Sequence, residues 1–98
     1  MISNNVLQGN QVGIYVVDTA EISHNVIIDN HYFGMALQDG SFEVSHDQIS
    51  GGFGAIAVIA AFADAEAVLD HERIGATSGA PVQTFQCCSF TATVVGRP

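Results

Sequence analysis

One six-residue motif recurs along this chain, and it limits the possible folds more than any other feature. The clearest copy reads Ile22-Ser23-His24-Asn25-Val26-Ile27. An earlier copy is Ile2-Ser3-Asn4-Asn5-Val6-Leu7, and later ones are Val44-Ser45-His46-Asp47-Gln48-Ile49 and Leu69-Asp70-His71-Glu72-Arg73-Ile74. A degenerate fifth copy is Phe85-Gln86-Cys87-Cys88-Ser89-Phe90. Successive copies end 20, 22, 25 and 16 positions apart. A repeat of about this length, made of short apolar stretches, marks a solenoid whose units bury their apolar faces only by stacking.

Stacking the copies assigns a direction to each column. The first column (Ile2, Ile22, Val44, Leu69, Phe85) and the sixth (Leu7, Ile27, Ile49, Ile74, Phe90) are core. The fifth (Val6, Val26, Gln48, Arg73, Ser89) tolerates charge and points outward. Five steps between two inward columns break strict strand alternation, so the chain bends between them. The third column (Asn4, His24, His46, His71, Cys87) and the fourth (Asn5, Asn25, Asp47, Glu72, Cys88) occupy that bend and can hydrogen-bond along the stack.

A second strand follows each motif. Gly13-Ile14-Tyr15-Val16-Val17, Gly34-Met35-Ala36-Leu37 and Gly54-Ala55-Ile56-Ala57-Val58-Ile59 each open on a glycine in step with the repeat. Polar turn residues, Asp18-Thr19 and Asp39-Gly40-Ser41, close the first two. Residues 60–68 form an alanine-rich insertion in which apolar residues alternate with acids, which predicts a strand over a helical turn. Pro81 stands at the start of a second strand over 82–85, where proline is tolerated, and 91–95 forms a last strand or a partial coil.

Ile-Ser-Asn-Asn-Val-Leu, Gly-Ile-Tyr-Val and Ile-Ser-His-Asn-Val-Ile together resemble the right-handed parallel β-helix repeat of pectin-lyase-like proteins and NosD-type periplasmic proteins. The resemblance covers residues 1–59 well and 60–98 loosely. It implies an all-β fold, a short right-handed parallel β-helix of about four coils forming one domain over 1–98. Such a domain stands alone or is a fragment of a longer β-helix. The resemblance also implies a secreted or cell-surface parent, although the first residues lack the basic and apolar segments of a signal peptide.

Charge narrows the partners. Ten acids against two arginines and no lysine give a formal net charge of −8. Nucleic acid requires a basic footprint, and an anionic membrane is disfavoured on the same ground. The longest apolar run, residues 55–63, is too short to span a bilayer. The two cysteines are adjacent, a poor geometry for a disulfide, and are read as thiols.

Four groups are candidates for chemistry. His24, His46 and His71 share one column, suited either to a divalent metal, to which Asp47 and Glu72 would contribute oxygens, or to a plain structural ladder. Asp18 and Asp39 follow second strands and stack at one corner, as a glycosidase acid–base pair or as ordinary turn residues. Arg73 is the outward cation, beside Asp70 and Glu72; it forms a surface ion pair or, as in the lyases that the repeat resembles, acts as a basic residue on the outer face. Tyr15, Tyr32 and Phe33, near two of the repeat glycines, either stack on sugar rings if exposed or are core and corner packing if buried. The resulting expectation is a non-catalytic β-helical interaction module that contacts glycans through its lateral face and self-associates through its coil ends, with no obligatory cofactor. The alternative is a carbohydrate-active enzyme, a glycoside hydrolase or polysaccharide lyase, or a fragment of one.

Overall fold

The computed structural model describes residues 1–87 and 89–97. Cys88, the end of the expected fourth column, lies outside them. No helix occurs among the described residues. The chain forms an all-β parallel solenoid of about four turns, with three strands in each turn. The first turn contains β1 (Ile2–Ser3), β2 (Val6–Gln8) and β3 (Val12–Val17). The second contains β4 (Ala20–Ser23), β5 (Val26–Ile28) and β6 (Phe33–Gln38). The third contains β7 (Ser41–Ser45), β8 (Gln48–Ser50) and β9 (Gly54–Ala60). The fourth contains β10 (Ala65–Asp70), β11 (Arg73–Ile74) and β12 (Val82–Gln86), and β13 (Ala92–Arg97) lies on β10. Like strands stack into three parallel sheets, ordered β1-β4-β7-β10-β13, β2-β5-β8-β11 and β3-β6-β9-β12.

Three left-handed backbone positions turn the chain at its corners. The first corner carries Asn4, His24, His46 and His71 at φ of 54–59°. The second carries Gly9, Asp29 and Gly51, and the third Asp18 and Asp39, all at positive φ. Among residues with a side chain, Asn, Asp and His tolerate this region best, so the column of Asn4 and three histidines records a backbone requirement. The same kink reverses the side-chain direction, which lets the first and sixth motif positions both face inward.

The expected core columns stand in register: Ile2, Ile22, Val44 and Leu69 on one sheet, and Leu7, Ile27, Ile49 and Ile74 on the next. Met35, Leu37, Ile56 and Val58 supply the third wall. Burying each aliphatic side chain of this size contributes about 1.5–3 kcal/mol. The turns lengthen along the chain. Register offsets are 20 from Ile2 to Ile22, 22 to Val44, 25 to Leu69 and 27 to Gly96.

Three expectations are revised. Residues 85–90 are not a fifth motif copy: Phe85 pairs with Ile59 in the third sheet, and Leu69 pairs with Gly96. An interval of 16 residues is too short to complete a turn, and the apolar ends of that segment imitate the motif by chance. Gly54 is in register with Phe33, so the true column is Gly13, Gly34 and Ala55. Gly13 and Gly34 face the core, where a Cβ would lie 2.9 and 2.5 Å from the methyls of Ile27 and Ile49. At Gly54 the relief is instead for the ring of Phe33, 2.7 Å from the would-be Cβ. The insertion divides: its second half is strand β10, as expected, and residues 61–64 are a loop.

Candidate functional site

The first corner holds the most ordered set of polar side chains. On its outer side His24, His46 and His71 stack face to face, with ring centroids 5.1 and 4.9 Å apart and planes within 3° and 4° of parallel. The spacing is the rise from one strand to the next. His71 Nδ1 lies 2.5 Å from Asp70 Oδ1. Parallel imidazoles one rung apart do not converge on a common point, whereas zinc needs its ligands at about 2.0–2.3 Å. Among the described residues, no group of three or more His, Cys, Asp or Glu is arranged to hold a metal ion. Cys87 does not extend this column; its amide donates to Ala60 O beyond β12.

The fourth column turns inward from the same corner and builds a directional ladder. Asn5 N–H and Nδ2 both donate to Asn25 Oδ1, at 3.0 and 3.1 Å. Asn25 N–H and Nδ2 donate in turn to Asp47 Oδ1, at 2.7 and 3.0 Å. Asp47 N–H donates to Glu72 Oε2 at 2.9 Å. Asn25 and Asp47 are each only 1% exposed. Asp47 and Glu72, expected as oxygen donors beside the histidines, are instead taken up by this ladder. Burial pushes the Glu72 carboxyl up to about 8; the Asp47 amide pulls it down, and the Asp47 and Asp70 carboxylates push it further up.

A second ladder, missed in the sequence, stands before the third sheet. Asn10 N–H donates to Asn30 Oδ1 at 3.0 Å, and Asn30 Nδ2 donates to Leu7 O at 3.2 Å. The signal was present: Asn10 and Asn30 keep the 20-residue interval of the main repeat.

Asp18 and Asp39 share the third corner, as expected, since Asp18 N–H donates to Gln38 O and Asp39 N–H to Ile59 O. Their surroundings differ. Asp18 Oδ1 caps its own turn, accepting from Thr19 N–H at 2.9 Å. Asp39 Oδ1 accepts the amides of Ala61, Phe62 and Ala63 at 2.7, 3.1 and 3.4 Å, and so folds the inserted loop around itself. Desolvation would raise the Asp39 carboxyl, but the Phe62 and Ala61 amides, with Gln38 and Ala63, outweigh it and hold the group below its ordinary value.

Arg73 is exposed and in register with Gln48. With His46, Asp47, Gln48 and His71 it lines a shallow hollow of about 180 Å³. Arg73 and two of the histidines are thus neighbours, while Asp18 and Asp39 belong to another corner. Tyr15 and Tyr32 remain outside the core, 60% and 50% exposed. The Tyr15 hydroxyl bonds to Gln38 Oε1, and the Tyr32 ring meets His31 edge-on at 4.5 Å. Sequence reasoning named Phe33 but missed Phe53 and Phe85 as its exposed neighbours. Phe33 makes edge-to-face contacts with Phe53 at 6.0 Å and with Phe85 at 6.1 Å, and Phe53 and Phe85 are themselves exposed. These aromatics belong to the third sheet and the corner that leads into it. Comparison with family models, with characterised proteins and with solved structures finds no match to this chain.

Proposed function

We propose that this chain is a non-catalytic β-helical interaction module that contacts neutral glycans through the aromatic side of its solenoid. The observation that carries this reading is the group of exposed rings on one side: Tyr15, Tyr32, Phe53 and Phe85, with Phe33 among them. Aromatic faces offer large contact area at low conformational cost, and Tyr15 and Gln38 place polar groups beside them. A neutral glycan fits better than an acidic one because the chain carries a net charge of −8. The resemblance of the repeat to pectin-lyase-like and NosD-type β-helices supports the same ligand class. An enzymatic version would use Asp18 and Asp39 as acid and base, but Asp39 Oδ1 already serves three loop amides.

Calorimetric titration with a panel of neutral hexasaccharides tests the reading. Wild type is expected to bind at least one, and Tyr15→Ala to weaken that binding about tenfold, the loss of one good ring contact. Binding of none, or equal affinity in Tyr15→Ala, would remove the aromatic side as the contact surface.

We also propose self-association through the solenoid ends. The outermost strands, β1, β2 and β3 at one end and β11, β12 and β13 at the other, each have a strand partner on one side only among the described residues. Open backbone edges of this kind invite pairing. Light scattering across a concentration series is expected to show a mass that rises above the 10.3 kDa of one chain. A constant monomer mass over that series would end this part of the proposal.

A further inference from the structure

The inward ladder at the first corner changes chemistry along the stack. Asn25 both donates and accepts, but its successors Asp47 and Glu72 are carboxyl groups. Asp47 Oδ1 is filled by two donors from Asn25, and Glu72 Oε2 by the Asp47 amide. One oxygen of each group remains, Asp47 Oδ2 and Glu72 Oε1, and both are buried without a hydrogen-bond partner. Two ionised carboxylates would leave both oxygens orphaned and set like charges on adjacent rungs, a costly arrangement. A single proton removes both problems, because a protonated carboxyl donates to its neighbour.

We propose that Asp47 and Glu72 share one proton, which clasps the third and fourth turns together and makes this corner a pH-controlled fastening. Glu72 carries the proton, and its O–H donates to the free oxygen of Asp47. Asp47 Oδ1 already takes two donors from Asn25, so Oδ2 is the oxygen left to accept from Glu72. When the proton passes to water, the corner is left with two carboxylates and no donor between them. The charged groups around it do not compensate. Asp70 on β10 adds a further negative charge and is itself engaged by His71 Nδ1. His46 and His71 stand on the outer side of the corner, and Arg73 is exposed on β11. The Arg97 backbone is in register with Asp70. Asn25, from the second turn, is neutral.

The sign follows from the direction of the shift. The Glu72 carboxyl is raised from 4.5 to about 8 in the folded chain, so the folded state holds a proton that the unfolded state releases. The stabilisation is complete below about pH 4.5, declines as pH rises, and is gone above about pH 8.

Thermal unfolding of wild type and Glu72→Gln, followed by circular dichroism from pH 5 to pH 9, tests the clasp. Glutamine retains an acceptor for the Asp47 amide and supplies a permanent donor to Asp47. Between the two ends of that range, the wild-type Tm is expected to fall relative to the variant's by about 5 °C or more. Titrations shared by both proteins cancel in this difference. Parallel curves would overturn the proposal. A second measurement needs no variant: a carbon-13 titration of the Glu72 carboxyl in the wild-type chain. A midpoint near 8 supports the shared proton, and one in the ordinary carboxylate range overturns it.

Discussion

Gly52→Ala is expected to destabilise the chain by about 3 kcal/mol or more, a large share of the stability of a domain this small. Gly52 sits at φ +77°, and a Cβ there would lie 2.0 Å from the carbonyl oxygen of Asn30. That oxygen cannot retreat cheaply. Asn30 is 2% exposed, and its side chain holds both the Asn10 amide and the Leu7 carbonyl. Two other glycines separate the causes. Gly9 has nearly the same backbone angle, φ +76°, but nothing within 4 Å of a would-be Cβ. Gly9→Ala is therefore expected to cost only the left-handed strain, about 1 kcal/mol. Gly96 has neither restriction, and Gly96→Ala is expected to be neutral. Urea denaturation of the three variants checks the order. Equal losses in Gly52→Ala and Gly9→Ala would show that close approach between turns is not what selects glycine at position 52.

Asn25→Ala is expected to cost about 3 kcal/mol, measured in the same way. Among the described residues, Asn25 is the one rung whose side chain connects three turns. Its removal orphans the Asn5 amide, which donates to Asn25 Oδ1, and the Ile2 carbonyl, which accepts Asn25 Nδ2 at 3.1 Å. Each unpartnered group in a buried setting costs about 1–3 kcal/mol, and the space left by the side chain adds to this. Amide exchange at Asn5 is the local readout and should accelerate more than exchange in β9 (Gly54–Ala60), which the ladder does not touch. Asn25→Asp distinguishes the roles of the two side-chain atoms. It keeps the acceptor for Asn5 but places a carboxylate against Asp47 Oδ1, where Nδ2 had donated. The resulting repulsion should make the loss of stability from mild acid to neutral pH larger in this variant than in wild type. A profile parallel to the wild type's would mean that the Asn25–Asp47 side-chain contact contributes little.

Much of this architecture was legible in the sequence because the solenoid repeats its constraints. Each turn must bury an aliphatic residue at the same two motif positions, so Ile22 and Ile27 predict Val44, Ile49, Leu69 and Ile74. The corner between them was legible too, since an odd number of steps separates two inward positions. Which way the third and fourth columns point was not legible. That depends on the left-handed angle at His24, His46 and His71, and the residue types alone suit either side. The third sheet was read less well. Its register is set by contacts between turns, such as Ile49 against Gly34 and Phe33 against Gly54, and neither glycine indicates which neighbour it accommodates. The role of Asp39 was hidden for a similar reason. Its partners are backbone amides of residues 61–63, which carry no side-chain signature. Phe53 follows no repeat column, and Phe85, assigned to the buried first column, is instead an exposed residue of the third sheet.

The lengthening of the turns is concentrated at one corner. The register offset is 21 residues from Gln38 to Ile59 and 25 from Ser41 to Glu66, and the loop over 61–64 lies between them. The added residues leave the pairing of β7 with β10 intact, so this corner is where the solenoid accepts inserted chain without loss of its ladder.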